Sequence, residues 1–266
     1  MDLTSDSRVV LTLDAGGTNF RFSAIRGARP LTETVALPSN GDNLDQCLKN
    51  IIAGFRRTER QCPERPVAIS FAFPGPADYP KGIIGDLGNL PAFRGGVALG
   101  PMLEELFGIP IYINNDGDLF AYGEAIGGFL PYVNGLLENA GSPKRYRNLL
   151  GVTLGTGFGG GIVADGRLLT GDNSISGEVW LLRNKRYPDS NAEEGASIRA
   201  VRRSYAENAG IPLEQAPEPK GISDIAAGKR PGDIEAANHG GALGAGDLKG
   251  QFFKGFFGGR GLYPGC

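Results

Sequence analysis

The sequence predicts an α/β protein in which mixed sheets are flanked by helices, arranged in two successive parts. Three observations predict it. Apolar, β-rich runs alternate with segments of helical spacing in the order β-β-β-α-β-α-β-α over the first half. An apolar strand, a turn of Gly and Thr and a second apolar strand occur in "LTLDAGGTNFRF" and again in "LLGVTLGTGFGGGIV". Between them the pattern breaks, at "LPYVNGLLENAGSPKRYRN", so the repeat reads as an internal duplication with its boundary within 115–148.

Taken in order, "RVVLTLD" is apolar and stops at an Asp-Gly-Gly-Thr turn; "NFRFSAI" alternates as a second strand and "ETVALP" reads as a third. "NLDQCLKNIIAGFRRTER" sets Leu44, Leu48, Ile51, Ile52 and Phe55 at helical spacing behind Asn43, a suitable cap. "RPVAISFAFPGPAD" is a buried strand ending in a Gly-Pro turn, and "GPMLEELFGI" is a short helix closed by Gly108. "PIYINND" is a further strand, and "LFAYGEAIGG" is the helix after it. Residues 130–148 read as a loop. "LLGVTLGTGFGGGIVADGRLLTG" then gives strand, Gly-rich turn, strand, tight turn and strand. A charged loop, "LLRNKRYPDSNAEEG", leads to a helix, "ASIRAVRRSYAENAG", with Ile198, Val201 and Tyr205 on one face. "APEPKGISDIAAGKRPGD" is loop-like with one short helix, and beyond Ala237 a Gly- and Phe-rich tail keeps neither period. The expected domains are residues 1–115 and 116–237, followed by an atypical tail over 238–266.

Composition bounds the function. The 266 residues suffice for one large domain or two modest ones. Hydrophobic residues make up 41% and charged residues 21%, the balance of a soluble globular protein. A net charge of −2 offers no positive field to draw nucleic acid or an anionic membrane. No run approaches the ~18 apolar residues of a spanning helix, and no secretory leader is visible. Cys47, Cys62 and Cys266 fit neither a disulfide framework nor a zinc pattern, which points to the cytoplasm.

The chemistry concentrates in the turns. A strand that delivers Asp14 at its C-terminal end puts a carboxylate at the mouth of a sheet, where ligands bind. Gly16 and Gly17 let a phosphate approach the backbone, and their amides with the Thr18 hydroxyl make an anion-binding nest. Asp14 can hold Mg²⁺ through its water shell. A plain hairpin turn is the competing reading of this stretch. "LGTGFGGG", residues 154–161, repeats the chemistry with Thr156 and its glycines. Asp116, where a strand becomes a helix, is the right group to accept a hydroxyl proton during phosphoryl transfer; its competing reading is a simple helix cap. Asn89 and Glu178 lie in turns and are suited to reading vicinal sugar hydroxyls.

"LDAGGTNFR", "FAFPGPAD", "GNLPAF", "INNDGDLFAYGE", "LGTGFGGGIVADGRLLTG" and "SGEV" run in one order over residues 8–205, and together they resemble the ROK family of sugar kinases and repressors, within the hexokinase–actin–Hsp70 ATPase superfamily. The resemblance implies two ribonuclease-H-like, actin-like ATPase lobes with a cleft between them, ATP and Mg²⁺ as cofactors and a small sugar as substrate. It implies that Asp14, Gly16, Gly17 and Thr18 form one phosphate turn, with Asp14 the metal-side carboxylate, and that Gly155, Thr156 and Gly157 form the other. Asp116 matches the family's catalytic base. Asn89, Asn115, Asp116 and Glu178 match sugar contacts, and "AEEGASIRAV" offers Glu193 or Glu194 as the last of them.

Three departures stand out. Glu178 is followed by "VWLLRN", so Leu181 stands where the family's histidine belongs; no cysteine-rich loop follows, and zinc is not expected. Only about a dozen residues precede the Asp-Gly-Gly-Thr strand, so the helix-turn-helix of the repressor branch, and with it DNA binding, is not expected. From about Asn238 the family pattern gives way to the tail, so a truncation or change of frame and an incomplete second lobe are expected; His239 has no role in this reading. The implied function is ATP-dependent phosphorylation of a hexose hydroxyl by a glucokinase-like enzyme, compatible with a homodimer. The rival is a non-catalytic sugar-binding or regulatory protein of the same family that has lost ATP chemistry.

Overall fold

A computed structural model describes residues 5–27, 29–85, 90–185 and 187–242. The chain forms an α/β structure whose described residues fall into two compact units. One comprises Met1–Gly151 with Gly161–Gly177, the other Val152–Gly160 with Glu178–Cys266.

The first unit is built on a mixed sheet. Its strands are β1 (Val10–Ala15), β2 (Asn19–Arg26), β3 (Arg29–Pro30), β4 (Val35–Pro38), β5 (Ala68–Ala72) and, after a small hairpin of β6 (Ala77–Asp78) and β7 (Ile83–Ile84), β8 (Ile111–Asn114). The order is β3-β2-β1-β5-β8, with β4 also on β2. Strand β1 is antiparallel to β2 but parallel to β5, which is parallel to β8. Alternation dictates what each strand buries: Leu11 and Leu13 from β1, Phe20, Phe22 and Ala24 from β2.

Helix α1 (Leu44–Glu59) covers this sheet. Asn43 caps it as expected, its side chain accepting from the Gln46 amide at 3.0 Å. Its inner face carries Cys47, Ile51, Gly54, Phe55 and Thr58. Gly54 is required there, because a Cβ would lie 2.2 Å from the Phe22 ring. The core is a chain of aromatic rings, with Phe22–Phe55, Phe55–Phe71 and Phe73–Phe93 at centroid separations of 5.1, 5.8 and 5.3 Å. Helix α2 (Leu99–Phe107) ends at Gly108, whose φ of 63° is a left-handed cap. Burial pushes the Cys47 thiol up to about 11.

Helix α3 (Asp116–Ile126) follows β8, and α4 (Phe129–Asn139) follows it. Helix α4 corrects the reading of residues 130–148 as a loop over its first part, up to Asn139, whereas 140–148 carry neither helix nor strand. Pro131 sits in its first turn, where a missing amide costs nothing, and together with Gly135 it hides the helical period. The later strands, β9 (Leu149–Leu154), β10 (Phe158–Ala164) and β11 (Arg167–Leu169), form a three-stranded sheet in the order β11-β10-β9.

The second unit is helical apart from its strand tips. Helices α5 (Glu193–Ala196), α6 (Ile198–Ala209), α7 (Pro219–Ala226) and α8 (Ile234–Ala242) follow in turn. Tyr205, Ala206, Ala216, Ile222, Ile225, Ala236 and Ala237 make its core, a smaller and less aromatic one than that of the first unit. Helix α8 continues to Ala242, and the remainder of the expected tail lies outside the described residues. No helix among the described residues is long and apolar enough to cross a membrane.

Candidate active site

Asp14 is exposed at the C-terminal end of β1. The turn from Gly16 to Thr18 follows, and β2 returns with Ala15 opposite Phe20. The two glycines have different work. A Cβ at Gly16 would lie 2.8 Å from the Asn19 carbonyl oxygen, so the tight turn itself requires glycine there. A Cβ at Gly17 would meet nothing within 4 Å, so the space beside this exposed residue is open. The turn is pinned from outside by Ser39, just beyond β4. The Ser39 amide donates to the Thr18 carbonyl at 3.0 Å, and its hydroxyl donates to the Gly17 carbonyl at 2.5 Å. With two carbonyls of the turn held this way its shape is fixed, and Thr18 on it is exposed. Sequence reasoning missed Ser39, which in "LPSNGD" looks like an ordinary turn residue.

Parallel pairing brings Asp116 to the same end of the sheet as this turn. Asp14 is in register with Ala72, and Ala72 with Asn114, so the ends of β1, β5 and β8 share one row. Asp14 and Asn114 are thus two strand spacings apart, about 10 Å. Asn115 then caps α3. Its Oδ1 accepts from the Gly117 and Asp118 amides at 2.8 and 3.3 Å, while its Nδ2 donates to the Tyr79 hydroxyl at 3.4 Å. That assignment separates two roles the sequence left together. Asn115 does the capping, and Asp116, in the first turn, keeps an exposed carboxylate whose Oδ1 accepts from the next amide, Gly117, at 2.9 Å.

Helix α3 can come this close to the later sheet because two strand residues are glycines. A Cβ at Gly161 would lie 2.7 Å from Asp118 Cα and 2.8 Å from the Gly117 carbonyl oxygen; one at Gly151 would lie 2.7 Å from Ala121 Cβ. Gly161 therefore belongs to β10 and to the seat of α3, not to the phosphate-type turn the sequence suggested for residues 154–161. Because the obstacles are backbone atoms, Gly161→Ala is expected to cost about 1–3 kcal/mol through overpacking. A urea-unfolding midpoint equal to that of the parent chain would contradict this.

In the second unit the turn itself is only Gly155, Thr156 and Gly157, between β9 and β10. Thr156 is exposed at its apex, and a Cβ at Gly155 would meet nothing within 4 Å. Glu193 and Glu194 are distinguished by their partners. Glu193 Oε2 accepts from the Phe158 amide at 3.1 Å, directly after the turn. Glu194 is held by Arg203 at 2.5 Å and Arg199 at 2.8 Å, which keep its carboxyl below the usual carboxylate range.

Glu178 opens the loop that leads to Glu193. Its carboxylate accepts a hydrogen bond from the Trp180 indole, two residues on. Leu181 is exposed, at 59%. The loop closes on itself: Ala192 donates to the Leu182 carbonyl at 2.7 Å, and Arg183 pairs with Asn191. Buried Asn184 ties it, donating from Nδ2 to the Asn191 carbonyl at 3.0 Å and accepting from the Tyr187 amide at 3.0 Å. Glu178 and Glu193 thereby stand at the two ends of one hydrogen-bonded loop. Asn89 lies outside the described residues.

Among the described residues no three His, Cys, Asp or Glu side chains are grouped to hold a metal ion. Mg²⁺ needs no such group, since it takes one or two carboxylates and fills its shell with water and phosphate oxygens. The exposed Asp14 carboxylate beside the exposed glycine turn fits that donor set.

The sequence pattern that defines the ROK family matches residues 10–180. Among curated relatives, the N-acetyl-D-glucosamine kinase of Photobacterium profundum is 31% identical over 168 residues, 62% of this chain and 50% of its own length. The chain spans about half the length of the curated relatives it matches first. Among solved structures, glucokinase from Parabacteroides distasonis is 58% identical, with a TM-score of 0.87 over 96% of this chain and 72% of that one. A ROK hexokinase from Thermus thermophilus, at 23% identity and a TM-score of 0.69 over 94% of this chain and 78% of that one, shares the fold.

Proposed function

The chain belongs to the ROK family, and from that premise we propose that it transfers the terminal phosphoryl group of ATP to a hydroxyl of a hexose. The observation that carries the reading is the shared row of parallel strand ends. It gives one sheet edge both an Asp beside a glycine turn and a second exposed Asp at a helix start. Phosphoryl transfer asks the protein for little else than positioning, charge neutralisation and a base. The finer fold that goes with this reading is a pair of ribonuclease-H-like lobes, each bringing one glycine turn.

In this reading Asp116 accepts the proton of the attacking hydroxyl as its oxygen bonds to the phosphorus and the bond to the ADP oxygen breaks. Gly16, Gly17 and Thr18 hold phosphate oxygens through amides and a hydroxyl, as do Gly155, Thr156 and Gly157. Asp14 binds Mg²⁺, which when bound neutralises phosphate charge. Asn89, Asn115, Glu178 and Glu193 are the residues proposed to meet sugar hydroxyls. Glucose is the first hexose to test, because the 58% identical relative is a glucokinase; N-acetylglucosamine is the second.

Phosphorus NMR of the chain with ATP, Mg²⁺ and glucose tests the reading. A sugar-phosphate resonance rising in step with ADP is expected. ADP accompanied by inorganic phosphate alone, with either sugar, would overturn it.

A further inference from the structure

Helix α5 carries Glu193, and its four residues fall far short of the ~12–15 an isolated helix needs to be even marginally stable. Ala192, at its N-cap, has no polar side chain to offer it. Its anchor comes from the loop before it. The Asn191 carbonyl accepts the Glu194 amide of α5 at 3.2 Å and also Asn184 Nδ2 at 3.0 Å. Asn184 is only 2% exposed, and its Oδ1 accepts from the Tyr187 amide at 3.0 Å, so both ends of the buried side-chain amide are bound. A Cβ at Gly195, within α5, would have three atoms of Asn184 as its nearest neighbours, Nδ2 at 3.1 Å, Cγ at 3.6 Å and Oδ1 at 3.7 Å. Glycine there lets the helix rest on the Asn184 amide. In sequence, "LLRNKRYPDSNAEEG" shows Asn184 only as one polar residue among many in a charged loop.

We infer that Asn184 is a positioning residue for the hexose site, acting through Glu193 by anchoring the start of α5. The inference rests on the reading above, in which Glu193 meets a sugar hydroxyl. The Glu193 carboxylate is oriented by the Phe158 amide at Oε2 and by Arg199 at Oε1. Asn184 fixes the backbone from which that side chain starts. The position has to donate to a carbonyl and accept from an amide without carrying a buried charge, and a neutral side-chain amide does all three. A carboxylate of the same shape keeps the bond from Tyr187 but turns an oxygen toward the Asn191 carbonyl, where a donor is needed. The glycine turn at 155–157 has its own tie, the Ile198 amide to the Gly155 carbonyl at 2.9 Å, and α6 has its own cap in Ser197. Losing the Asn184 anchor therefore disturbs α5 and the sugar contact it carries, while the nucleotide turn stays held.

The test is a double-mutant cycle on the full chain, with Asn184→Asp, Glu193→Ala and the two combined. It reads kcat, the ATP KM and the KM for whichever of glucose and N-acetylglucosamine the parent turns over, with calorimetric affinity for the same sugar. Asn184→Asp is expected to raise the hexose KM and weaken hexose binding about tenfold, the scale of one buried hydrogen bond lost, with kcat and the ATP KM within about twofold. Glu193→Ala is expected to lose at least as much hexose affinity. In the combined variant, Asn184→Asp is expected to add less than about twofold to the loss from Glu193→Ala, because a group that acts through Glu193 then has nothing to position. Losses that multiply in the combined variant would overturn the inference. So would a parent-like hexose KM in Asn184→Asp, or a raised ATP KM with the hexose KM unchanged. Where Asn184→Asp does not fold by circular dichroism, Asn184→Ala takes its place in the cycle and is read in the same way. A parent chain that phosphorylates neither sugar would overturn the proposed function and the inference with it.

Discussion

Asp116→Asn is expected to lower turnover by about 10²–10⁴-fold, the usual contribution of a general base, while hexose affinity changes little. The substitution is nearly isosteric. An Asn side-chain oxygen can still accept from the Gly117 amide as Asp116 Oδ1 does, and the cap of α3 comes from Asn115 and is untouched. Asp116 is exposed, so no core contact is lost with its charge. What disappears is the ability to take a proton. Steady-state turnover above a third of the parent value would remove Asp116 from the base role; a parallel loss of sugar affinity would make it a binding group instead.

The second large effect is on stability. Phe55→Ala is expected to cost about 3–5 kcal/mol, a large share of the ~5–15 kcal/mol that holds a typical domain together. Phe55 is fully buried and is the hub of the aromatic chain, with Phe22, Phe71 and Phe107 at centroid distances of 5.1, 5.8 and 6.0 Å. It joins helix α1 to β2, β5 and α2 in one contact set, so the void cannot be refilled by moving one neighbour. Circular dichroism in urea measures it. A loss below about 1 kcal/mol would mean that the site collapses around the cavity.

Much of the first unit was legible because its signals are local. Leu11, Leu13, Phe20 and Phe22 alternate with period two, and Ile51 and Phe55 repeat at helical spacing behind a capping Asn43. Gly108 and Gly210 end their helices in left-handed conformation, as such glycines do. What escaped depends on residues distant in sequence. Ser39 fastens a turn 22 residues earlier through its own backbone and hydroxyl. Glu193 reaches Phe158 across 35 residues. Gly161 read as part of a glycine-rich turn, yet it is a strand residue that, like Gly151 of β9, makes room for α3 by its missing side chain. Helix α4 was masked by Pro131 and Gly135, which lower helical propensity wherever they stand although an early position excuses the proline. The choice between Asn115 and Asp116 as the cap of α3 could not be read from composition, since both side chains cap well. Three-dimensional geometry makes it, and thereby leaves Asp116 available for chemistry.

The most direct measurement is a coupled ADP-release assay on the full chain over glucose, N-acetylglucosamine, mannose and fructose, run beside Asp116→Asn and beside calorimetric titration of each sugar. The expected result is Mg²⁺-ATP turnover that depends on at least one hexose and collapses in Asp116→Asn, while that hexose still binds the variant. Calorimetric binding of a hexose to the parent chain with no ADP release on any sugar would contradict it and leave a sugar-binding protein without kinase chemistry.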